Sequence, residues 1–402
     1  MGYQQGLSGL AAASNDLDVI GNNIANANTV GFKQSTAQFQ DVYANTLASS
    51  VNTQIGLGAS LSEVQQDFSQ GTITTTGQSL DVAINGSGFF QMSDNGSITY
   101  SRNGVFQLDP NGDIVNAQGL QLMGYAANAS GVINTASTVP LQVPTTNLAP
   151  QPTANVDASV NLNAQQSPPA TTPFSESDST SYNYSTSAVV YDSLGGKQTL
   201  NVYYVMNSTG NWDVYAGTAG NATQVGSMQF DQGGNLTSPT DGKMTVTVDP
   251  TDGAATNQQI TINVTGTTQY GSANGPYNVQ PDGYATGQLT GFTVGADGTL
   301  TGQYSNGQTQ ALGQIVLATF NNPNGLHDLG GNEYAQTSES GAPQVSTPGS
   351  TNHGSLTGGA IEASNVNLTN QLVDLITAQR NYQANAQTIK TQQTVDQTLL
   401  NL

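Results

Sequence analysis

The chain has no cysteine. That excludes a disulfide framework, a thiolate nucleophile and every cysteine-ligated metal site, and it fits a protein that works outside the cell. Ionic side chains are nearly as scarce: Asp, Glu, Lys and Arg make up 8% of residues, against about 25% in ordinary soluble proteins. Asn, Gln, Ser and Thr fill the gap, so the surface is one that hydrogen-bonds with few ions. Positive charge is rarest of all. Six basic residues (Lys33, Arg102, Lys197, Lys243, Arg380, Lys390) stand unclustered against 26 acidic ones, for a net charge of −20. Polyanionic partners are repelled, so neither nucleic acid nor an anionic membrane surface is expected.

Long hydrophobic runs are also missing. No stretch approaches 18 continuous apolar residues, so no membrane insertion is expected. The first twenty residues have no basic n-region and carry Asp16 and Asp18. They do not read as a cleavable Sec-type signal peptide, and export needs another route.

Catalytic signatures are absent too: no G-x-S-x-G, H-E-x-x-H or P-loop occurs. The two histidines, His327 and His353, sit in Gly- and Asn-rich surroundings without a ligand-spaced partner and read as loop residues. Asp109-Pro110-Asn111-Gly112-Asp113 lacks the terminal bidentate Glu of a calcium loop and reads as a hairpin turn. Glu176 and Asp178 lie in a Ser/Thr-rich stretch and read as solvated. The expectation is a non-enzyme with no catalytic, cofactor or metal site.

What is present begins at the ends. In residues 366–402, Leu368, Leu372, Leu375, Tyr382, Ala386 and Ile389 draw one apolar stripe at helical spacing, with neither Gly nor Pro from 368 to 400. Val366, Val373, Val395, Leu399 and Leu402 form a second stripe on another side. Such a helix, about 50 Å long at 1.5 Å per residue, needs more neighbours than one small domain offers. At the N-terminus Leu7, Leu10, Ser14, Leu17, Gly21 and Ile24 form a heptad-like seam, broadened by Ala13 and Ile20, in which Ser14 and Gly21 allow close helix approach. Gly6, Gly9 and Gly21 each cost about 1 kcal/mol of helix propensity, so this helix depends on packing partners. It is expected to stop near Asn26 to Asn28.

Between the ends the texture is β. In residues 40–70 Tyr43, Leu47, Val51 and Ile55 fit a helix, but Gly56 and Gly58 break any regular pattern, and the stretch reads as a connector. From Thr72 short β-branched and aromatic runs alternate with Asn85-Gly86, Asn95-Gly96, Asn103-Gly104 and Asn111-Gly112 turns. Phe89, Phe90, Tyr100, Phe106 and Tyr125 read as core. Seven prolines between Val139 and Pro173 mark a boundary. A second strand-rich block follows, with the only tryptophan, Trp212, in its core, and a Gly- and Ser-rich stretch at 341–359 leads into the last helix.

The expected fold is therefore mainly β with α-helical termini: paired, coiled-coil-like terminal helices plus two nested antiparallel β domains, the outer inserted in the inner. The expected boundaries are 1–30 and 364–402 for the helical domain, 31–71 and 341–363 for the connector, 72–148 and 284–340 for the inner β domain, and 149–283 for the insertion. The two apolar helices are expected to meet through Leu7, Leu10, Leu17 and Ile24 against Leu372, Leu375, Tyr382 and Ile389. Val395, Leu399 and Leu402 are left for neighbouring subunits, and Leu368 belongs to the same interface set.

The run Leu17-Asp18-Val19-Ile20-Gly21-Asn22-Asn23-Ile24-Ala25-Asn26, followed by Thr29-Val30-Gly31-Phe32-Lys33, resembles the N-terminal signature of the bacterial flagellar rod and hook axial proteins. Gly359-Ala360-Ile361-Glu362-Ala363-Ser364-Asn365-Val366 and Gln379-Arg380-Asn381-Tyr382-Gln383-Ala384-Asn385 resemble its C-terminal half. Residues 81–90, 100–106 and 312–320 are similar to the family's first β domain. The motif positions singled out are Gly21, Asn22, Asn23, Asn26, Gly31, Phe32, Lys33, Glu362, Ser364, Asn365 and Arg380.

Within that family the inserted block points to the hook. The resemblance implies a subunit of a self-assembling, curved hollow tube that joins motor to filament as a universal joint. Terminal helices would surround the channel and β domains face outward. It also implies type III flagellar export without a cleaved signal, and the rod, the hook cap and the hook–filament junction as partners beside the homopolymer. A distal rod or junction subunit, an extracellular β-domain adhesin and a secreted β-rich hydrolase are the competing readings. Residues 43–59 form a longer segment than in some members.

Overall fold

The computed structural model describes residues 2–42 and 56–400. Residues 43–55 of the long segment, and Leu402, therefore lie outside the described residues. Helix α1 (Gly2–Ala25) opens the chain and α2 (Leu368–Leu400) closes it, with strands nearly throughout between them. The fold is mainly β with a helix at each end. Helix α1 ends where the Asn cluster begins: Asn26 donates its side-chain amide to the Asn22 carbonyl at 3.0 Å, and Thr29 N–H closes a turn on the Asn26 carbonyl at 3.0 Å. Helix α2 starts behind Asn367, whose side-chain oxygen accepts the Asn370 N–H at 3.2 Å and satisfies a donor with no partner inside the helix.

The chain divides into two compact units. The first takes everything up to Thr145, then Gly291–Gln303, then everything from Thr309. Within it, the stretch expected as a connector is partly an antiparallel hairpin, β1 (Ser35–Val42) against β2 (Gly58–Gln66), in register from Ser35↔Gln66 to Val42↔Gly58. Sequence reading misses these strands because both faces are wet: Phe39, Leu61 and Val64 are exposed, so no clean period-two pattern exists. Next along the chain, β3 (Ile73–Thr75) pairs with the late strand Ala360–Glu362, and β4 (Val82–Asn85) pairs with Ser355–Gly358. The returning C-terminal segment thus closes this unit.

Its thirteen-stranded sheet contains the hairpin β5 (Phe89–Asp94) and β6 (Ser97–Ser101). The hairpin turns on Asn95 and Gly96 at φ 48° and 101°, the positive-φ pair that a tight two-residue turn demands. Phe68, Phe89, Tyr100, Phe320 and Tyr334 pack edge to face beneath it at 4.8–5.9 Å between ring centres. Asp109, which accepts the Asn111 and Asp113 N–H groups at 2.9 and 2.8 Å, shapes a hairpin turn.

The second unit is Thr146–Thr290 with Tyr304–Gln308. Two five-stranded sheets share one core, which includes Val156, Leu162, Val202, Tyr204, Ile262 and the fully buried Trp212. Alternation is clean on Lys243–Val248, where every second residue is buried. The antiparallel expectation needs correction here. Asn155–Asn163 runs parallel to Gln258–Asn263 and to Thr268–Tyr270, and antiparallel to Gly275–Pro281. The other sheet intervenes in sequence, so no tight turn dictates the direction of pairing. This strand occupies a proline-free window inside the proline-rich stretch. Glu176 is not merely solvated either: its carboxylate accepts the Tyr203 hydroxyl at 3.1 Å and the Gly220 N–H at 2.8 Å.

Candidate assembly site at the chain ends

The two helices pack antiparallel. Gly6 lies against Ile389, Gly9 against Asn385, and Asn23 against Gln371, so rising numbers on α1 meet falling numbers on α2. The inward face of α1 is Gly6, Ala13, Ile20 and Asn23, all buried. That face is the expected seam rotated by one residue, about 100°. Leu7 is 54% exposed, Leu10, Leu17 and Ile24 are half-buried, and nothing lies within 4 Å of a Cβ built on Gly21. On α2 the least exposed positions are Gln371, Leu375, Ala378, Asn385, Ala386, Ile389 and Gln392. Leu375 and Ile389 therefore turn inward as expected, whereas Leu368, Leu372 and Tyr382 are exposed.

The rotation has a physical reason. Small residues at Gly6 and Gly9 bring the helix backbones close: a Cβ at Gly6 would stand 2.9 Å from Ile389 Cγ1, and one at Gly9 2.6 Å from Asn385 Oδ1. Close approach forfeits large side chains in the seam and substitutes a polar contact. The Asn23 amide donates to Gln371 Oε1 at 3.0 Å and to the Ser35 carbonyl at 2.7 Å, and it accepts the Ser35 N–H at 2.9 Å. The motif asparagine thus ties α1 both to α2 and to the start of β1. Ala13, Ile20, Leu375, Ala386 and Ile389 are expected apolar residues that do lie in this seam, whereas a reading that scores apolar residues alone misses Gly6, Gly9 and Asn23.

Beside the seam, Asp16, Asn23, Gln34, Gln371 and Asp374 line a cavity of about 310 Å³. Burial, and then the facing Asp374 carboxylate, push the Asp16 carboxyl above the ordinary aspartate range.

Where the chain leaves α1, the remaining motif residues converge. Gly31, at φ 72°, donates its N–H to the Glu362 carbonyl at 2.9 Å. Lys33 Nζ reaches Glu362 Oε1 at 2.7 Å and the Ser69 carbonyl at 2.7 Å. Arg102 brings Nε to 3.2 Å from Glu362 Oε2 while donating through Nη1 to the Gly86 and Gly88 carbonyls at 3.0 and 2.6 Å. Glu362 Oε1 also accepts the Gly71 N–H at 2.8 Å. All three charged side chains are almost fully buried. Burial, and next the Arg102 charge, hold the Lys33 ammonium below the ordinary lysine range, against the opposing pull of Glu362. Asn365 accepts the Gln34 N–H at 2.8 Å and donates to the Asp67 carbonyl at 2.8 Å, and Ser364 Oγ accepts the Val366 N–H at 3.3 Å.

Asn22 holds Asn26, Phe32 is half-buried, and Arg380 is exposed with no ion pair among the described residues. Arg102, central to the cluster, was not among the motif positions. Its signals in sequence are membership of the six rare cations and a place in the family-like stretch 100–106.

Two of the six cations are spent inside, and among the described residues the helix pair leaves apolar side chains exposed on more than one side. Leu7, Leu368, Leu372, Val373, Ile376 and Leu399 are each 46–65% exposed. Val395 and Tyr382 join them at 46% and 38%. Among the described residues, no helix is long and apolar enough to cross a membrane.

Comparison with known proteins bears on this arrangement. Residues 4–33 match the family described as flagella basal body rod protein, 83–163 the flagellar hook protein FlgE/F/G D1 domain, 161–284 the flagellar basal body protein FlaE D2 domain, and 357–402 the flagellar basal body rod FlgEFG protein C-terminal. The chain is 43% identical over 412 residues to the flagellar hook protein FlgE of Salmonella typhimurium, covering 100% of both chains. To that of Escherichia coli it is 42% identical over 411 residues, again covering 100% of both. To that of Treponema pallidum it is 33% identical over 455 residues, covering 99% of this chain and 98% of the other. Among solved structures, the Helicobacter pylori flagellar hook protein FlgE2 aligns with a TM-score of 0.52 at 15% identity, over 72% of this chain and 100% of that one.

Proposed function

The chain belongs to the flagellar hook protein family, and from that membership we propose how its two ends build the polymer. It is a structural subunit of the flagellar hook. The α1–α2 pair is the assembly element, and its exposed apolar side chains are what neighbouring copies bury, in a curved hollow tube that passes torque as a universal joint.

The observation that carries the reading is that surface: nine apolar side chains on the paired helices, Tyr3 among them, are at least 38% exposed. Among the described residues nothing packs over them, and exposed apolar surface of this extent marks an interface. The antiparallel register adds to it. With Gly6 against Ile389 and α1 beginning at Gly2, the last two turns of α2 run past the end of α1, taking Val395 and Leu399 with them.

The buried Lys33–Glu362–Arg102 cluster anchors the assembly element to its β unit, so that a load applied at the helices reaches the sheet through fixed contacts. Outside the helices, few ions and many amides and hydroxyls leave subunit contacts that exchange through water. Export through the flagellar type III route, location outside the cell, and contacts with the rod, cap and junction belong to the same reading.

Electron microscopy of the concentrated purified chain tests it. Hollow, supercoiled tubes that disassemble on dilution are expected; a chain that stays monomeric at every concentration would overturn the proposal.

A further inference from the structure

The second unit contains a carboxylate that the assembly reading does not use. Strands Tyr184–Tyr191 and Lys197–Ser208 are joined by a turn at residues 192–196. Asp192 folds that turn: its Oδ1 accepts the Leu194 and Gly196 N–H groups, both at 2.9 Å. The residue is 0% exposed, and its second oxygen, Oδ2, has no hydrogen-bond partner among the described residues. A buried carboxylate oxygen left bare is costly.

What faces it makes matters worse electrostatically. The loop between Lys243–Val248 and Gln258–Asn263 places Asp252 beside it. A Cβ built on Gly196 would stand 2.4 Å from Asp192 Oδ2 and 2.6 Å from Asp252 Oδ2. Both oxygens thus crowd one point, and only a residue without a Cβ leaves that point free. The loop is pinned there by the Ala255 N–H on Ser193 Oγ at 2.8 Å and the Ala254 N–H on Asp252 Oδ1 at 3.2 Å. Neither carboxylate meets a lysine or arginine among the described residues, although Lys197 is next in the chain. Two like charges this close need a counter-charge: a cation, or a proton held between them.

We propose that Asp192 Oδ2 and Asp252 Oδ2 are the protein ligands of a divalent-cation site, and that the cation is calcium. Two carboxylate oxygens on an irregular loop, with Asp252 exposed and open to water, suit a hard cation that tolerates loose geometry and completes its shell with solvent; magnesium demands a tighter octahedron.

Trp212, buried in the core of the same unit, reports its unfolding in the intact chain. Five millimolar calcium in place of a chelator should raise the midpoint followed by tryptophan fluorescence by about 2 °C or more. Calorimetric titration should find one ion per chain with a Kd on the order of 10⁻⁴–10⁻³ M, the range of weak extracellular sites. Asp252→Asn keeps the Ala254 contact, folds, and loses both responses. Absence of a calcium shift in the wild type, or an equal shift in Asp252→Asn, overturns the proposal. So does a midpoint that ignores calcium and falls as pH rises from 5 to 8 in the wild type alone, which would assign the pair a shared proton.

Discussion

Lys33 Nζ lies 2.7 Å from Glu362 Oε1, although the two are 329 positions apart in the chain, and neither side chain is exposed. The first folded turn after α1 and the last strand before α2 are thus joined through one carboxylate, which Arg102 also faces. Removing the carboxylate leaves two buried cations, and breaking a buried pair on one side costs about 3–5 kcal/mol. Glu362→Ala should therefore unfold the first unit at much lower denaturant, seen by far-ultraviolet circular dichroism, while tryptophan fluorescence of the second unit keeps its wild-type midpoint. A loss below about 1 kcal/mol would show that the cluster is not what holds the ends.

Gly31 supports a separate test of that junction. Its φ of 72° suits glycine, and a Cβ there would stand 2.8 Å from the Asn103 backbone nitrogen and 2.9 Å from the Arg102 carbonyl carbon. Backbone cannot step aside as a side chain can. Gly31→Ala is expected to destabilise the first unit by about 2 kcal/mol or more in denaturant melts, whereas Gly21→Ala, facing open space on α1, should gain helix propensity and cost nothing.

How far the sequence carried follows from which residues spoke. The helix ends, the Asn95-Gly96 hairpin and the aromatic core under Phe89 were legible because periodicity and turn chemistry are local. The helix seam was not. Leucines at positions 7, 10 and 17 announce one face, yet the partner helix selects the neighbouring face, where Gly6 and Gly9 permit approach and Asn23 finds Gln371. Residues that read as propensity defects on one helix become contacts only when the second is present. The β1–β2 hairpin stayed hidden for the opposite reason: with Phe39 and Val64 exposed it has no buried face to give a period.

Asp16 gives the helix pair a pH dependence whose sign can be worked out. Its carboxyl is raised by burial and by Asp374 across the seam, while the β1 end of the cavity contributes only Ser35, Thr36 and Ala37 and no charge. The paired state therefore holds the proton more tightly than the unpaired one. Its contribution is full below the ordinary value of 3.8 and falls away as pH rises through the raised value. Asp178, Asp231, Asp282 and Asp297 are shifted down and work in the opposite direction, losing stability in acid. The measurement must therefore be local. Hydrogen exchange of the α1 amides should slow as pH drops from 7 toward 4.5, after correction for intrinsic rates, and Asp16→Asn should remove that trend. An unchanged trend in the variant would place the titrating group elsewhere.

Leu399 offers the sharpest test of how the ends assemble. It is 65% exposed on the part of α2 that runs past α1, so among the described residues of one subunit it packs against little. Fully burying a leucine stabilises a contact by about 1.5–3 kcal/mol, and each 1.4 kcal/mol is a factor of ten in association. Leu399→Asp forfeits that burial and places a charge in an apolar contact. Its critical concentration for tube formation should rise at least about tenfold, or tubes should vanish, while circular dichroism and tryptophan fluorescence remain those of the wild type. Val132→Asp supplies the control, because Val132 is equally exposed, at 62%, but lies on a loop of the β region far along the chain from either helix. If both variants assemble alike, general acidity rather than the helix face governs the polymer. If only Leu399→Asp fails, the exposed end of α2 is where one copy meets the next.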